Sequence, residues 1–119
     1  MPDYKLALLD CHDANFDEIG AVSDPNRVAY CERHGIDFIR YRFGQLEPPG
    51  RQPNWGKIQG LLKHLPDYDW IFYLDTDAII TNMSIDIRSM IDDRYGGHLS
   101  TGALFVKNCP WSYTFLQDI

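Results

Sequence analysis

The sequence is poor in the features that mark several common protein classes. Its 119 residues include only three cysteines, Cys11, Cys31 and Cys109, an odd number without a CxxC pair. Neither a disulfide framework nor a cysteine zinc site is therefore expected. Basic residues are also outnumbered, with 11 Lys and Arg against 17 Asp and Glu and a net charge of −6. This balance argues against a nucleic-acid or anionic-membrane partner, because such partners need a basic face.

Long apolar runs are also lacking. No run approaches the ~20 apolar residues of a membrane span. The first residues, MPDYKLALLDCHD, show no basic segment followed by a long apolar one, so no secretory signal is expected. Together with the cysteine pattern, this predicts a cytoplasmic protein without a transmembrane segment. No repeat, low-complexity tract or linker divides the chain, so residues 1–119 are expected to form a single domain.

What the sequence does contain is an alternation of strand and helix patterns. Four largely apolar runs predict strands, at 4–10, 36–43, 69–75 and 102–108. Four segments with helical spacing or helix-start signals predict helices, at 23–35, 54–66, 84–93 and 110–119. In the first helix, Asp24 is expected to cap the start, Pro25 to occupy the first turn, and Gly35 to form the left-handed exit. The alternation predicts an α/β fold with a mostly parallel sheet and helices on both faces.

The run WIFYLDTDAII, residues 70–80, carries the strongest chemical signal. Asp75 and Asp77 follow the most apolar strand, and side chains two residues apart on an extended segment project to the same side. Two such carboxylates repel each other unless one is protonated or a cation lies between them. Their oxygens suit Mg²⁺ or Mn²⁺, and substrate phosphates typically complete such a shell. A metal-bridged nucleotide diphosphate at the carboxyl end of the strand is therefore the predicted partner.

The Asp-x-Asp pattern has two other interpretations. One aspartate could cap the following turn while the other is simply solvated. Phosphatases of the haloacid-dehalogenase type also end a strand in Asp-x-Asp, normally the first strand, with a lysine and further acids well downstream. Here the pair comes late in the chain, and Lys107 is the only later lysine, which disfavours a phosphatase.

Four segments together resemble the galactosyl-, mannosyl- and xylosyltransferase family of GT-A glycosyltransferases. They are NRVAYCERHG (26–35), NWGKIQGLL (54–62), WIFYLDTDAIITN (70–82) and STGALFVKNCPWSYTFL (100–116). The resemblance implies a GT-A-like (Rossmann-like) nucleotide-sugar-binding domain, truncated or minimal at this length. It also implies a hexosyl- or pentosyltransferase that is metal-dependent and retaining. The donor would be a UDP- or GDP-linked sugar, and the acceptor a glycan hydroxyl.

The resemblance implies roles for the residues around the two aspartates. Asp75 and Asp77 would be the DxD pair that holds Mn²⁺, or Mg²⁺, on the donor diphosphate. Thr76 would lie near the ribose or the donor sugar. Lys57, in a Trp-x-Lys pattern, would approach the donor phosphates or sugar, although a lysine beside the apolar stripe of a helix is also ordinary surface.

Two further segments would complete the donor site. Ser100, Thr101 and Gly102 match the family's Asn-Thr/Ser-Gly turn on the sugar-binding side, with Ser100 where the family usually has Asn. Asp10 and, with it, His12 would border the nucleotide base at the end of the first strand. Both segments could equally be loop residues without chemistry.

Length leaves a second function open. A full catalytic domain of this family is roughly twice this size, and the acceptor half has no counterpart among these residues. The alternative is thus a truncated or inactive GT-A-like domain that binds a nucleotide diphosphate without transfer. LFV (104–106) and WSYTFL (111–116) are then expected to lie exposed, which would favour a homo-oligomer that covers them.

Overall fold

The computed structural model describes residues 4–44, 55–91, 97–99 and 103–118. Within these residues a sheet of five strands is flanked by three α-helices. The strands are β1 (Leu6–His12), β2 (Asp37–Arg42), β3 (Trp70–Leu74), β4 (Gly97–Leu99) and β5 (Ala103–Lys107). The helices are α1 (Asp17–His34), α2 (Trp55–His64) and α3 (Pro110–Asp118). Their order confirms the predicted α/β class.

The sheet has the strand order β2-β1-β3-β5-β4, and its two halves differ in direction. β1 runs parallel to both β2 and β3, as predicted. β5 runs antiparallel to β3 and to β4, so the parallel arrangement does not extend over the whole sheet. The short connection between β4 and β5 explains the antiparallel pairing of these two strands, because parallel neighbours need a crossover of a dozen or more residues.

Helices cover both faces of the sheet. On one face, Tyr30 of α1 packs in a cluster with Leu8 and Trp70. On the other face, Leu61 of α2 and Leu116 of α3 belong to a second cluster. All seven residues of β1 are buried, as expected for a strand covered on both faces. None of the helices in the described part of the chain is long and apolar enough to cross a membrane.

The first helix begins earlier than predicted. α1 starts at Asp17, after a 3₁₀ turn in which the Asp13 side chain accepts a hydrogen bond from the Asn15 N–H. Pro25 lies inside the helix, and Asp24 forms an ion pair with Arg40 of β2 instead of capping a helix start. The left-handed exit is confirmed, because Gly35 has φ of 64°.

The helix predicted at 84–93 is also wrong for the residues that the structure describes there. They form only a 3₁₀ turn, Ile87–Met90, after which Ile91 is extended. Contacts with α1 set this path. The Ile87 N–H donates to the Tyr30 hydroxyl, and Arg88 donates to the His34 carbonyl at the end of α1.

The end of the chain is better covered than predicted. Phe105 and Val106 of β5 are buried, so the expectation that this strand lies exposed is wrong. α3 is partly covered, since Ser112 and Leu116 are buried, whereas Trp111 remains 58% exposed. The predicted homo-oligomer remains a prediction.

β2 lies at one edge of the described sheet and carries charges that are tied back to α1. Arg42 donates to both carboxylate oxygens of Asp17, at 2.8 and 2.9 Å. Arg40 forms its ion pair with Asp24 on the same helix. These pairs attach the edge strand to the helix that precedes it in the chain.

Candidate functional site

The two aspartates lie where β3 ends. Residues 75–78 form a tight turn in which the Ala78 N–H donates to the Asp75 carbonyl at 3.0 Å. Thr76 is buried, whereas Asp75 is half-buried and Asp77 is exposed. Because β1 and β3 are parallel, their carboxyl ends meet at this edge of the sheet.

A cavity of about 130 Å³ opens at this edge. Its walls come from the aspartate turn, the end of β1, the start of α2 and the 3₁₀ turn before α1. The lining residues are Cys11, His12, Asp13, Phe16, Phe43, Lys57, Tyr73, Asp75, Thr76 and Asp77. Four residues predicted from the sequence to bind the donor, Lys57, Asp75, Thr76 and Asp77, are thus brought together in one cavity.

Tyr73 connects the lysine to the first aspartate. Its hydroxyl donates to Asp75 Oδ1 at 2.9 Å, and Lys57 Nζ lies 5.0 Å from the centre of its ring. Burial raises the pKa of Tyr73, and the negative charge of Asp75 raises it further. The phenol therefore stays neutral at physiological pH and orients the carboxylate as a hydrogen-bond donor.

Asp10 lies beneath the turn. Its side chain is fully buried, Oδ1 accepts a hydrogen bond from the Thr76 hydroxyl at 2.5 Å, and Oδ2 lies 2.9 Å from His12 Nδ1. The other ring nitrogen of His12 lies 3.3 Å from Asp17. The structure thus gives Asp10 protein partners under the cavity, and contact with a nucleotide base stays a prediction.

Arg27 is the functional candidate that the sequence analysis missed. It is fully buried in α1 and donates to the carbonyl oxygens of Leu74 at 3.1 Å, of Ala78 at 2.7 Å and of Asp75. Its Nη1 lies 3.8 Å from Asp10 Oδ1. Burial lowers the pKa of Arg27, and the negative charge of Asp10 opposes that shift.

The spacing within α1 could have revealed this arginine. Arg27, Tyr30, Cys31 and His34 recur at helical intervals, and Tyr30 and Cys31 are buried. A charged residue in the buried stripe of a helix needs a partner inside the protein. The segment NRVAYCERHG (26–35) therefore indicated that Arg27 is buried and has a partner inside the protein.

Ser100, Thr101 and Gly102 lie outside the described residues. The next residue, Ala103, pairs with Leu74, directly before Asp75. Their predicted contact with the donor sugar stays a prediction.

The chemistry of the two aspartates fits a hard divalent cation. Across the described residues, no group of three or more His, Cys, Asp or Glu is arranged to hold a metal ion. Two carboxylates that line one cavity are the donor set found where Mg²⁺ or a similar ion is shared with substrate phosphates. The site therefore suits a metal ion whose coordination shell is completed by a phosphate ligand.

Comparison with known proteins identifies the family. Residues 10–95 match the model of the galactosyl transferase GMA12/MNN10 family. The chain belongs to this family. The match includes three of the four segments on which the resemblance was based, and confirms it.

Curated relatives are glycosyltransferases of much greater length. A probable xyloglucan 6-xylosyltransferase 3 of Arabidopsis thaliana is 29% identical, over 77% of this chain and 24% of the relative. A probable glycosyltransferase 6 of Oryza sativa subsp. indica is 27% identical, over 78% of this chain and 23% of the relative. This chain thus spans about a quarter of the length of these relatives.

A solved structure confirms the fold class. A glycosyltransferase involved in the glycosylation of the major capsid of PBCV-1 superimposes with a TM-score of 0.68 at 18% identity. The match covers 95% of this chain and 64% of that chain. The α/β, GT-A-like fold expected from the sequence is therefore present in this chain.

Proposed function

We propose that this chain is the donor-binding part of a metal-dependent glycosyltransferase. The proposed transferase moves a hexose or pentose from a UDP- or GDP-linked sugar to a glycan hydroxyl, with retention at the anomeric carbon. One observation carries the proposal: Asp75, Asp77 and Lys57 line a single cavity at the carboxyl end of β3. This is the edge at which open α/β sheets bind their ligands.

In this proposal the two carboxylates hold Mn²⁺ or Mg²⁺. When bound, the ion stabilises the negative charge that develops on the departing diphosphate. Lys57 adds a second positive charge near the phosphates. Tyr73 keeps the Asp75 carboxylate in one orientation through its 2.9 Å hydrogen bond. Thr76 approaches the ribose or the donor sugar.

The names of the relatives support a pentose or hexose donor. The Arabidopsis relative is a probable xyloglucan 6-xylosyltransferase. Transfer of xylose to a glucan is thus one concrete form of the proposed reaction. The predicted contacts of Asp10 with the base and of Ser100, Thr101 and Gly102 with the sugar belong to the same proposal.

A second candidate is a domain that binds the nucleotide diphosphate without transfer. It is kept because the chain matches only about a quarter of the length of its glycosyltransferase relatives, and the residues that would bind an acceptor have no counterpart identified in the matched part. Both candidates require metal-dependent nucleotide binding, and they differ in whether a sugar is transferred.

Calorimetric titration tests what the two candidates share. We expect UDP or GDP to bind in the presence of Mn²⁺ and to lose affinity with excess chelator. Asp77→Asn should weaken binding at least tenfold, which corresponds to ~1.4 kcal/mol, because one charged metal ligand becomes a neutral amide. Asp67→Asn is the matched control, since Asp67 is exposed and precedes β3 at its other end.

Binding that survives the chelator, or that is unchanged in Asp77→Asn, would contradict a metal role for the aspartates. If binding is confirmed, release of UDP from UDP-sugars in the presence of glucan oligosaccharides separates the two candidates. Acceptor-dependent release supports the transferase, whereas binding without release supports the second candidate.

A further inference from the structure

We propose that Arg27 and Asn26, two adjacent residues of α1, are positioning residues for the aspartate loop, defined here as residues 75–80. They hold this loop in the conformation that presents Asp75 and Asp77 to the cavity. The effect on ligand binding rests on the proposed function, whereas the effect on the loop conformation does not.

The aspartate loop lacks helix and strand structure of its own. It follows β3 directly, and no part of residues 75–80 is in a helix or a strand. Its backbone turn is closed by the bond from the Ala78 N–H to the Asp75 carbonyl. A loop with so little internal bonding depends on side chains or solvent to fix its backbone.

Arg27 supplies donors to both ends of this turn. Its guanidinium reaches the carbonyl of Leu74 at the end of β3, and those of Asp75 and Ala78 within the loop. A planar guanidinium with several donors can hold several acceptors in one fixed arrangement. Arg27 therefore fixes the backbone immediately around the first aspartate and on the far side of the second.

Asn26 fixes the end of the loop. Its side-chain amide donates to the Ile80 carbonyl at 2.8 Å, and its side-chain oxygen accepts from the Ile80 N–H at 2.7 Å. One side chain thus satisfies both backbone groups of Ile80, as a neighbouring strand would. Further along α1, Tyr30 donates to the Ile85 carbonyl, and the chain remains attached to the same helix.

The carboxylate of Asp10, which lies beneath the loop, compensates the positive charge of Arg27. Asp10 lies 3.8 Å from Arg27 and accepts the hydrogen bond of Thr76, the residue between the two aspartates. A buried charge of this kind is a poor contributor to stability, because desolvation opposes the attraction. Among the described residues, Arg27 Nε also finds no hydrogen-bond partner. Besides compensating part of the charge of Asp10, this arginine therefore provides the contacts to the loop carbonyl groups.

Hydrogen exchange of the loop amides, measured on the full chain, tests the proposal. We expect Arg27→Met and Asn26→Ala to increase exchange of the two hydrogen-bonded loop amides, those of Ala78 and Ile80, at least about tenfold, with much smaller changes in β1. Arg27→Lys should lie between wild type and Arg27→Met, because an ammonium group cannot reproduce the planar array of donors. In the same variants, affinity for UDP with Mn²⁺ should fall although both carboxylates are retained.

Leu116→Ala is the control for a general loss of stability. Leu116 is buried in the cluster on the opposite face of the sheet. The proteins are compared at urea concentrations that give each the same free energy of unfolding. Under these conditions, the loop amides of Leu116→Ala should exchange at nearly the wild-type rate. Equal acceleration in Leu116→Ala and Arg27→Met would show that Arg27 has only a general structural role, and would overturn the proposal.

Unchanged loop exchange in folded Arg27→Met and Asn26→Ala would also overturn it. If Arg27→Met does not fold, Asn26→Ala decides alone, because Asn26 is only partly buried. If wild-type protein binds neither UDP nor GDP with Mn²⁺, the proposed function fails. The exchange data then still decide whether α1 holds the loop.

Discussion

Replacement of Thr76 by valine would remove one hydrogen bond from the floor of the candidate site. The Thr76 hydroxyl donates to Asp10 Oδ1 at 2.5 Å, and both side chains are buried. Valine has nearly the same shape as threonine, so the change deletes the donor without opening a cavity. Arg27 lies 3.8 Å from the same oxygen, which is beyond hydrogen-bond distance. The carboxylate oxygen therefore loses its close donor.

The expected cost follows from the charge of the acceptor. A hydrogen bond to a charged group contributes ~1.5–3 kcal/mol, and an unsatisfied buried acceptor keeps its desolvation penalty. We therefore expect Thr76→Val to lower the free energy of unfolding by ~1.5–3 kcal/mol. For a chain of this size that corresponds to a fall in Tm of roughly 6–12 °C.

Urea unfolding followed by tryptophan fluorescence measures this change, and Thr76→Ser is the matched control. Serine keeps the hydroxyl and loses one methyl group, for which we expect a cost of about 0.8 kcal/mol. The order of stability should be wild type, then serine, then valine. A valine variant within ~0.5 kcal/mol of wild type, or a serine variant less stable than the valine one, would refute this account of the buried hydrogen bond.

Two further predictions concern α2 and the segment after it. Gly56→Ala should destabilise the fold by ~1–3 kcal/mol, because a Cβ at Gly56 would overlap the Phe43 ring. Gly44→Ala should be neutral, since among the described residues no atom beyond its chain neighbours lies within 4 Å of its Cβ position. Thermal unfolding of both variants tests the contrast. Burial, and then a hydrogen bond to Asp37, raises the pKa of Tyr68 from 10.0 to about 12. Because its pKa is raised in the folded protein, the neutral phenol of Tyr68 contributes to the free energy of unfolding. This contribution is complete below pH 10 and is lost as the pH rises towards 12. In urea unfolding, the free energy of unfolding of Tyr68→Phe should therefore decline less between pH 10 and 12 than that of wild type. An identical decline in both proteins would contradict the raised pKa of Tyr68.

The central strand β3 was predictable from the sequence because its residues are apolar and most of them are buried. WIFYL, residues 70–74, is apolar throughout, and β3 lies in the middle of the sheet with helices on both sides. The same pattern placed Asp75 and Asp77 at a strand end, and the rule for ligand sites in such sheets then predicted the cavity. Local composition was sufficient for these features.

Features that depend on distant contacts were not predictable. Asp24 and Pro25 carry the local signal of a helix start, but α1 already begins at Asp17, and the Asp24 side chain pairs with Arg40 of β2. The direction of β5 depends on how the chain crosses from β3, and no local pattern records this path. Tertiary contacts override local propensity in both cases.

The partners of the buried Arg27 could not be predicted for a related reason, although the helical spacing indicated its burial. A charged residue within a helix is usually at the surface, because burial without partners is costly. The partners of Arg27 are carbonyl oxygens 47 to 51 residues further along the chain. Such acceptors are present in every residue, so the sequence carries no sign of which ones an arginine will bind.

The charged edge of the sheet has a consequence for solubility. An edge strand exposes unpaired backbone groups that can recruit a strand from another molecule, and charged side chains oppose that pairing. β2 carries Asp37, Arg40 and Arg42 in six residues, and both arginines are anchored to carboxylates of α1. A strand that added to this edge would bring its own side chains against these fixed charges. We therefore expect that β2 resists edge-to-edge aggregation, and that any self-association of the chain involves other surfaces.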